Sequence, residues 1–365
     1  MTLDDFRKAG NPEMPANALS GGLASALDYP TLDPAADLAA GENHAFWFFD
    51  NEGRYSLLGC HIQGGGSVGA GSVVTGAYQP FPDWRTRRIV FPIAGPGDEL
   101  FVDFAIGGGA EPDGYALGGW EFRCVEPFKH WTGRYRGTPC LTSRAETMSG
   151  IIDLSGPRVA VEIDLDFDMA LPPWIQGDFV EESSEKQWGQ FVIGTPRYEQ
   201  LYHATGAIRV TGRDEYRFTG TGLRTHRYGK RVATKLVGSS WLSALFPSGR
   251  AFGSQQFLNG EGVCGYKEAF VTDAAGCFFA VRATRVPWLE RLDCIGRRIE
   301  FAYEGPHGPG LIEGDVLKAA YNYGIGIDRN PGALDFCHMM TRFRWDGEET
   351  VGMVELGMLV ERLQA

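Results

Sequence analysis

A strand-like run near the middle of the chain collects residues that could do acid–base chemistry. It reads GTGLRTHRYGKR over residues 220–231. With the period of two of a β-strand, Arg224, His226 and Tyr228 point to one face. Histidine titrates near neutral pH, tyrosine is a weak proton donor and arginine can hold an anionic oxygen. The spacing therefore places Arg224, His226 and Tyr228 on one face as candidate catalytic residues.

Each of these side chains also has a purely structural interpretation. His226 could be a hydrogen-bonded core histidine that orients a turn. Arg224 could form a structural ion pair with Glu268 or another carboxylate, or it could hold an anionic oxygen of a substrate. Tyr228 could donate a proton or only stack against a ring. The sequence leaves these alternatives open.

Aromatic side chains elsewhere predict the wall of an apolar binding cavity. Trp47, Phe48 and Trp241 are expected to shape this wall rather than to act chemically. With them we place Glu268 among the expected substrate-binding residues, because a carboxylate is the natural partner of the arginine in the polar run. Trp47 and Phe48 belong to the aromatic run HAFWFFD, residues 44–50.

Two histidines in the first half of the chain are further candidates for substrate binding. His44 lies on the same strand face as Phe48, and His61 is expected to share its face with Tyr55 and Leu57. Both could therefore enter a cavity in the first half of the chain. The alternative for each histidine is the polar end of a strand.

The candidate metal and nucleotide motifs lack the neighbouring residues that such sites require. GGGSVG, residues 64–69, has the glycine spacing of a dinucleotide fingerprint, but no helix follows it and no acidic residue stands about 20 positions later. Asp164, Asp166 and Asp168 repeat on one face of a strand, as solvated residues do, and lack the glycine and glutamate of a calcium loop. Histidines and cysteines are far apart along the chain. The sequence predicts no metal and no organic cofactor, although distant residues could still converge in space.

Charge excludes several classes of partner. The chain has 365 residues and a formal net charge of −12, which repels phosphate backbones and anionic membranes. The densest basic cluster, Arg85, Arg87 and Arg88, is more typical of a solvated turn than of a nucleic-acid-binding stripe. No stretch approaches the roughly 20 apolar residues of a membrane helix. We expect a small-molecule partner, no nucleic acid and no membrane span.

Cysteine usage and the N-terminus predict the compartment. Seven cysteines are widely spaced without a Cys-x-x-Cys pair, which favours a reducing environment. The N-terminal MTLDDFRKAGNPEMP lacks the basic and apolar segments of a signal peptide. These features predict a cytoplasmic protein and leave the oligomeric state open.

The elements that must position these residues are mostly strands. Fifty glycines and twenty prolines separate short apolar runs without any βαβ pattern, which predicts antiparallel sandwiches or barrels. NEG at 51–53 and the pair Asp346-Gly347 each mark a hairpin turn. ALPPW at 170–174 ends a strand, because proline cannot donate to a β-ladder. It predicts two domains, residues 1–172 and 173–365.

One region resembles a known family. YHATGAIRVTGRDEYRFTGTGLRTHRYGKR, followed by GSSWLSALFPSGRAFG, is similar to the core of the lipocalin-like, two-domain proteins related to carotenoid 1,2-hydratases, and GENHAFWFFD is similar to their aromatic first strand. The resemblance implies an all-β chain with two lipocalin-like antiparallel barrels or sandwiches and few short helices. It also implies a ligand cavity between or within them.

The resemblance implies a type of chemistry as well. Such proteins add water to isolated double bonds or help to cyclise polyenes without an organic cofactor, using a carboxylic acid to protonate the alkene. Thr225 stands where many of them have this aspartate, and threonine cannot supply a proton at neutral pH. His226, Tyr228 and Arg231 still match the family pattern.

We therefore expect a cofactor-independent lyase of the hydro-lyase type that acts on a hydrophobic terpenoid, steroid or aromatic compound. His226 would be the acid or base, Tyr228 a proton donor or relay, and Arg224 a charge-stabilising group. An isomerase or cyclase that uses the same pocket is one alternative. A lipocalin-like carrier without catalysis is the other, since fold alone does not determine function.

Overall fold

The part of the chain that the structure describes is mostly antiparallel β-structure. The computed structural model describes residues 19–32, 41–65, 85–149, 154–180, 197–229, 236–321 and 334–363. Within these residues the helices are short: one α-helix, α1 (Arg144–Ser149), and 3-10 turns at Ser25–Asp28 and Val360–Arg362. None of the helices in these ranges is long and apolar enough to cross a membrane. The predicted all-β class with few short helices is confirmed.

Thirteen strands form the first sheet, here called the N-terminal sheet. Its order is β5-β6-β7-β8-β10-β12-β13-β1-β2-β3-β4-β9, with β11 paired to β12. The strands are β1 (Gly41–Asp50), β2 (Ser56–Gly65), β3 (Thr86–Ala94), β4 (Glu99–Gly108), β5 (Ala110–Glu111), β6 (Gly114–Leu117), β7 (Trp120–Glu126), β8 (His130–Gly137), β9 (Cys140–Ser143), β10 (Val161–Met169), β11 (Trp174–Ile175), β12 (Arg197–Val210) and β13 (Tyr216–Gly229).

Nine strands form the second sheet, the C-terminal sheet. Its order is β17-β16-β15-β14-β22-β21-β20-β19-β18. The strands are β14 (Gly238–Leu245), β15 (Ala251–Leu258), β16 (Cys264–Thr272), β17 (Phe278–Ala280), β18 (Arg282–Arg285), β19 (Arg298–Gly305), β20 (Gly308–Tyr321), β21 (Leu334–Trp345) and β22 (Glu348–Leu359). One of the two sheets curls into half a barrel and the other into a nearly closed barrel.

The predicted hairpins form at the turns that the sequence marks. β1 and β2 pair across the turn that contains Gly53, which has a φ of 79°. β21 and β22 pair across Asp346 and Gly347, both with positive φ. Positive φ at both central residues matches the right-handed twist of a hairpin, which explains the Asp-Gly pair.

The sheets pack face to face, so the strands between them have no solvent face. On β1, Phe46 and Phe48 point into the concave core of the N-terminal sheet. Ala45, Trp47 and Phe49 point into a second core between the two sheets. A third core fills the concave side of the C-terminal sheet. Burial on both faces accounts for the unbroken apolar run in β1.

The two sheets divide between Gly229 and Gly238 along the chain. β12 and β13 complete the N-terminal sheet by pairing with β10 and β1. The domain division at 172/173 stays a prediction.

A β-bulge changes the faces of β2. Between Leu57 and His61 this strand has one residue more than the paired segments of β1 and β3. Gly59 lies within this bulge and has a φ of 94°. An extra residue reverses the alternation of side chains. Leu57 therefore points into the concave core, whereas the His61 ring lies 5.2 Å from Trp47 between the sheets. The expectation that His61 shares a face with Tyr55 and Leu57 is wrong for this reason.

Candidate active site

His226 lies in a buried polar cluster on the concave side of the N-terminal sheet. Its Nδ1 is 2.9 Å from the carbonyl oxygen of Leu27, and its Nε2 is 2.9 Å from Oε1 of Glu42. The other oxygen of Glu42 accepts a hydrogen bond from Arg87 at 2.6 Å. Both ring nitrogens of His226 are thus within hydrogen-bond distance of other groups of the protein. One of these groups, the Leu27 carbonyl, belongs to the segment 19–32.

Arg224 belongs to the same cluster and pairs with Asp28 and the side-chain oxygen of Gln200. Asp28 also accepts from the Tyr198 hydroxyl at 2.5 Å and from Trp131 Nε1 at 3.0 Å. Of the carboxylates considered for Arg224, Glu268 does not pair with it, because the two residues face different cores. The observed ion pair is with another carboxylate, Asp28.

Burial and neighbouring charge shift the pKa values of two groups beside His226. Burial lowers the pKa of His44 well below its ordinary value, and the positive charges of His226 and Arg224 lower it further. Burial opposes ionisation of Glu42, but its hydrogen bond with His226 and the charges of His226 and Arg87 outweigh it and lower the pKa of Glu42. His44 lies against His226 at a ring-centroid distance of 3.6 Å.

Two other predicted residues lie on the same side of the sheet. Phe48 packs in the concave core against Phe218, and Tyr228 is paired opposite Glu42 on the neighbouring strand. Arg87 and Arg88 are buried on β3, whereas Arg85 is exposed, so the expectation of a solvated turn is wrong for two of the three arginines.

A second polar cluster lies between the sheets and centres on Glu199 of β12. Oε2 of Glu199 accepts a hydrogen bond from Trp241 Nε1 at 3.0 Å, and Oε1 accepts from Gln255 Nε2 at 2.8 Å. Arg197 contacts Oε1 at 2.9 Å and lies over the Trp241 ring, 4.4 Å from its centroid. The carboxyl group is therefore held by donors from both sheets.

The environment of Glu199 favours its neutral form. Burial raises the pKa of this carboxyl to about 7, and the negative charges of Glu268 and Glu355 add to the rise, against the opposing charge of Arg197. A carboxyl group with this pKa exists in both protonation states at neutral pH.

Glu268 is the second buried carboxyl group between the sheets. It accepts hydrogen bonds from the backbone of Gly177 at 2.8 Å and of Phe179 at 3.0 Å, and also from the Tyr266 hydroxyl. Burial nevertheless raises the pKa of Glu268. This carboxyl ties residues 177–179 to the C-terminal sheet.

Apolar side chains surround the accessible side of Glu199. The free space beside it is about 10 Å³ and is walled by Leu171, Trp174, Phe270 and Phe278, which is room for about one water molecule. The Ser243 hydroxyl faces the same space and has no hydrogen-bond partner among the residues that the structure describes. We call the space and the groups around Glu199 the inter-sheet pocket.

His61 and His338 extend this region next to Trp47. The ring of His61 is perpendicular to that of Trp47, and its centroid is 5.9 Å from that of His338. Nδ1 of His338 is 3.3 Å from Oε2 of Glu355. Burial and the charge of His61 hold the pKa of His338 well below its ordinary value.

The structure thus separates the predicted site residues into two groups. His44, Phe48, Arg224 and His226 face the concave core, whereas Trp47, His61, Trp241 and Glu268 face the gap between the sheets.

Glu199 was not predicted. It shares its strand face with Leu201, which belongs to the core between the sheets, but also with the polar residues Arg197, His203 and Thr205. A face with so many polar residues is typical of a solvated strand face, so the local sequence carries no signal for the burial of Glu199.

One solved structure supports the fold. The crystal structure of an AttH protein from Nitrosomonas europaea aligns with a TM-score of 0.54 and 13% identity, over 88% of this chain and 92% of that chain. Structures of CghA with Sch210972 and of kievitone hydratase from Nectria haematococca each score 0.47, at 12% and 10% identity, over 96% and 95% of this chain and 94% of each of those chains. No curated protein sequence matches the chain. The predicted fold of two lipocalin-like antiparallel units is confirmed.

The family assignment comes from the sequence match. The family described as "Domain of unknown function (DUF7064)" matches residues 82–359, which include most of the N-terminal sheet and all of the C-terminal sheet. This span contains Glu199, Trp241 and Glu268. The chain belongs to this family.

Proposed function

We propose that this protein is a lyase of the hydro-lyase type or an isomerase that acts on a hydrophobic small molecule in the inter-sheet pocket. Glu199 is the proton donor. The observation that carries the proposal is a buried carboxyl group with a pKa raised to about 7, beside a space lined by apolar side chains.

Protonation of a carbon–carbon double bond requires an acid that keeps its proton until the substrate arrives. An exposed glutamate is ionised at neutral pH, whereas Glu199 is partly protonated there because it is buried among other carboxylates. Hydrogen bonds from Trp241 and Gln255 fix its orientation. The rings of Trp47 and Trp241 are nearly perpendicular, with their centroids 5.2 Å apart, and the face of an aromatic ring can stabilise a developing carbocation.

The position of Glu199 also accounts for the departure at Thr225. The resemblance to the carotenoid hydratase group implies a carboxylic acid at that position. Glu199 and Thr225 are directly opposite each other on the paired strands β12 and β13, so their side chains share one face. Glu199 therefore supplies a carboxyl group next to the place where Thr225 lacks one.

The pocket wall favours a terpenoid, steroid or aromatic substrate, and the chemistry needs no organic cofactor. Apolar side chains dominate the wall, and the free space of about 10 Å³ is far smaller than such a compound. Binding must therefore displace side chains or move the two sheets apart. Ser243 offers one hydroxyl for a polar group of the substrate.

The sequence-based site, His226 with Arg224 and Tyr228, stays a prediction and defines the competing location. Its groups bind one another and the segment 19–32, which fits the structural interpretation of His226. A carrier without catalysis is the alternative in function.

The test is incubation with a panel of hydrophobic alkenes in deuterated water, followed by mass spectrometry. A hydro-lyase changes the product by the mass of one water, an isomerase exchanges hydrogen for deuterium, and a carrier returns the compound unaltered. Glu199→Gln should lower turnover about 10²- to 10⁴-fold, while His203→Gln on an exposed strand face should not. Full turnover by Glu199→Gln, with loss in His226→Gln, would place the reaction on the concave side instead.

A further inference from the structure

Three metal-ligating side chains from three strands converge beside Trp47. They are His61 on β2, His338 on β21 and Glu355 on β22, and their candidate ligand atoms all lie within 4.8 Å of one another. The strands belong to different sheets, so the packing of the two sheets creates the group. Its members are 277 and 17 residues apart along the chain, a spacing that no short sequence motif describes.

The separations are close to those of a metal site. Zinc bonds of about 2.0–2.1 Å in tetrahedral geometry place neighbouring ligand atoms about 3.3 Å apart. Nδ1 of His338 and Oε2 of Glu355 already have this separation, 3.3 Å. The remaining pairs lie within 4.8 Å and need a contraction of at most about 1.5 Å.

Aromatic packing orients both imidazole rings. His338 is stacked nearly parallel to Trp47, at 6.5 Å and 16°, and His61 stands perpendicular to the same indole, at 5.2 Å and 84°. Rings held in this way lose little freedom when they bind an ion, which favours binding.

The charge of the surrounding gap also favours a cation. Three carboxyl groups, those of Glu199, Glu268 and Glu355, interact electrostatically within it, and Arg197 is the cation that opposes them at Glu199. A divalent ion bound by Glu355 would interact favourably with the ionised forms of the other two carboxyl groups.

We propose that His61, His338 and Glu355 bind one divalent first-row transition ion, with Zn²⁺ as the reference case. Two imidazoles and one carboxylate suit such an ion, whereas Mg²⁺ and Ca²⁺ prefer oxygen ligands. The ion links the N-terminal sheet to the C-terminal sheet and keeps at least one coordination position open. This proposal differs from the sequence-based prediction of no metal, and it does not depend on the proposed function.

The test measures binding of Zn²⁺ to the full chain, purified without a histidine tag and stripped with chelator. Calorimetric titration should give one ion per chain, and Co²⁺ should produce the visible absorption bands of a low-coordinate nitrogen–oxygen site. His61→Ala, His338→Ala and Glu355→Gln should each weaken binding at least about 100-fold, since even outer partners of metal ligands contribute 10- to 100-fold. His203→Ala removes an exposed histidine and should leave binding unchanged.

Thermal unfolding provides a second readout that is independent of any substrate. Zn²⁺ should raise the melting temperature of the unsubstituted protein in a concentration-dependent way, and it should not do so for Glu355→Gln. Glu355 is partly exposed, at 14% of its side chain, so this variant serves if His338→Ala does not fold. Absence of one-to-one binding, or binding that the three substitutions leave intact, overturns the proposal.

Discussion

Replacement of Glu199 by glutamine should change the pH dependence of stability, because the carboxyl group is buried without a compensating charge of equal strength. The pKa of Glu199 in the folded protein is about 7, against an ordinary value of 4.5. Between these two values the folded chain keeps a proton that the unfolded chain has lost. The free energy of unfolding therefore falls as the pH rises through this window.

The magnitude follows from the size of the shift. A difference of about 2.5 pKa units corresponds to about 3 kcal/mol. Ionisation of Glu199 lowers the free energy of unfolding by this amount above pH 7 and has no effect on it below pH 4.5. Glutamine has no proton to lose and so escapes this cost. It also loses one acceptor, at Trp241 or at Gln255, which costs about 1–2 kcal/mol at every pH. Relative to the unsubstituted protein, the free energy of unfolding of Glu199→Gln should thus rise by about 2.5 kcal/mol between pH 5 and pH 8.

Urea denaturation followed by circular dichroism at several pH values measures this difference without knowledge of the substrate. Glu261→Gln, on an exposed turn, controls for the loss of one surface charge. If the stability curves of Glu199→Gln and the unsubstituted protein run parallel from pH 5 to pH 8, the carboxyl group does not titrate near neutrality. The proton-donor role would then lose its basis.

Three further substitutions test the buried contacts, each by urea denaturation. His226→Gln should lose about 1.5–3 kcal/mol, because its ring holds two buried acceptors, and turnover per folded molecule then separates a structural from a catalytic histidine. Asp28→Asn should cost about 3–5 kcal/mol, because it leaves the buried Arg224 guanidinium without its carboxylate. Gly222→Ala should cost about 1–3 kcal/mol, because the new methyl group would overlap the Tyr202 ring and the backbone of β1.

Matched controls distinguish these effects from nonspecific damage. Glu126→Gln breaks an exposed ion pair with Lys129 and should cost less than about 1 kcal/mol. Gly260→Ala meets no atom within 4 Å and should be nearly neutral. If Asp28→Asn is as mild as Glu126→Gln, the buried pair does not anchor the N-terminal segment. If Gly222→Ala costs no more stability than Gly260→Ala, the strands can accommodate a methyl group at position 222, and the predicted overlap is wrong.

The strands were predictable where the sequence marks one face or one turn. β10 alternates apolar residues with Asp164, Asp166 and Asp168, and the structure has Ile163, Leu165 and Phe167 in the core. The β21–β22 hairpin follows from Asp346-Gly347. β1 carries no such mark, because its odd and even residues are buried in two different cores. A continuous apolar run therefore predicts a strand but not which core each residue enters.

Which residues share a strand face was predictable, but which residues become their partners in the site was not. Arg224 and His226 share a face, as their spacing predicts, yet their partners Asp28 and Glu42 lie about 200 residues earlier in the chain. Glu199 acquires its pKa only when the second sheet covers it. Pairing between distant strands and burial by another sheet are tertiary effects, which a local pattern does not contain.

The bulge in β2 makes the length of this strand as important as its composition. Loss of the single extra residue near Gly59 would hardly alter the amino-acid content, yet it would exchange the side chains that serve the two cores. His61 would then leave the gap between the sheets without having been substituted. In an alignment of relatives, a one-residue gap at this position would therefore mark chains in which the imidazole no longer lies between the sheets. Chains without the gap would keep it there.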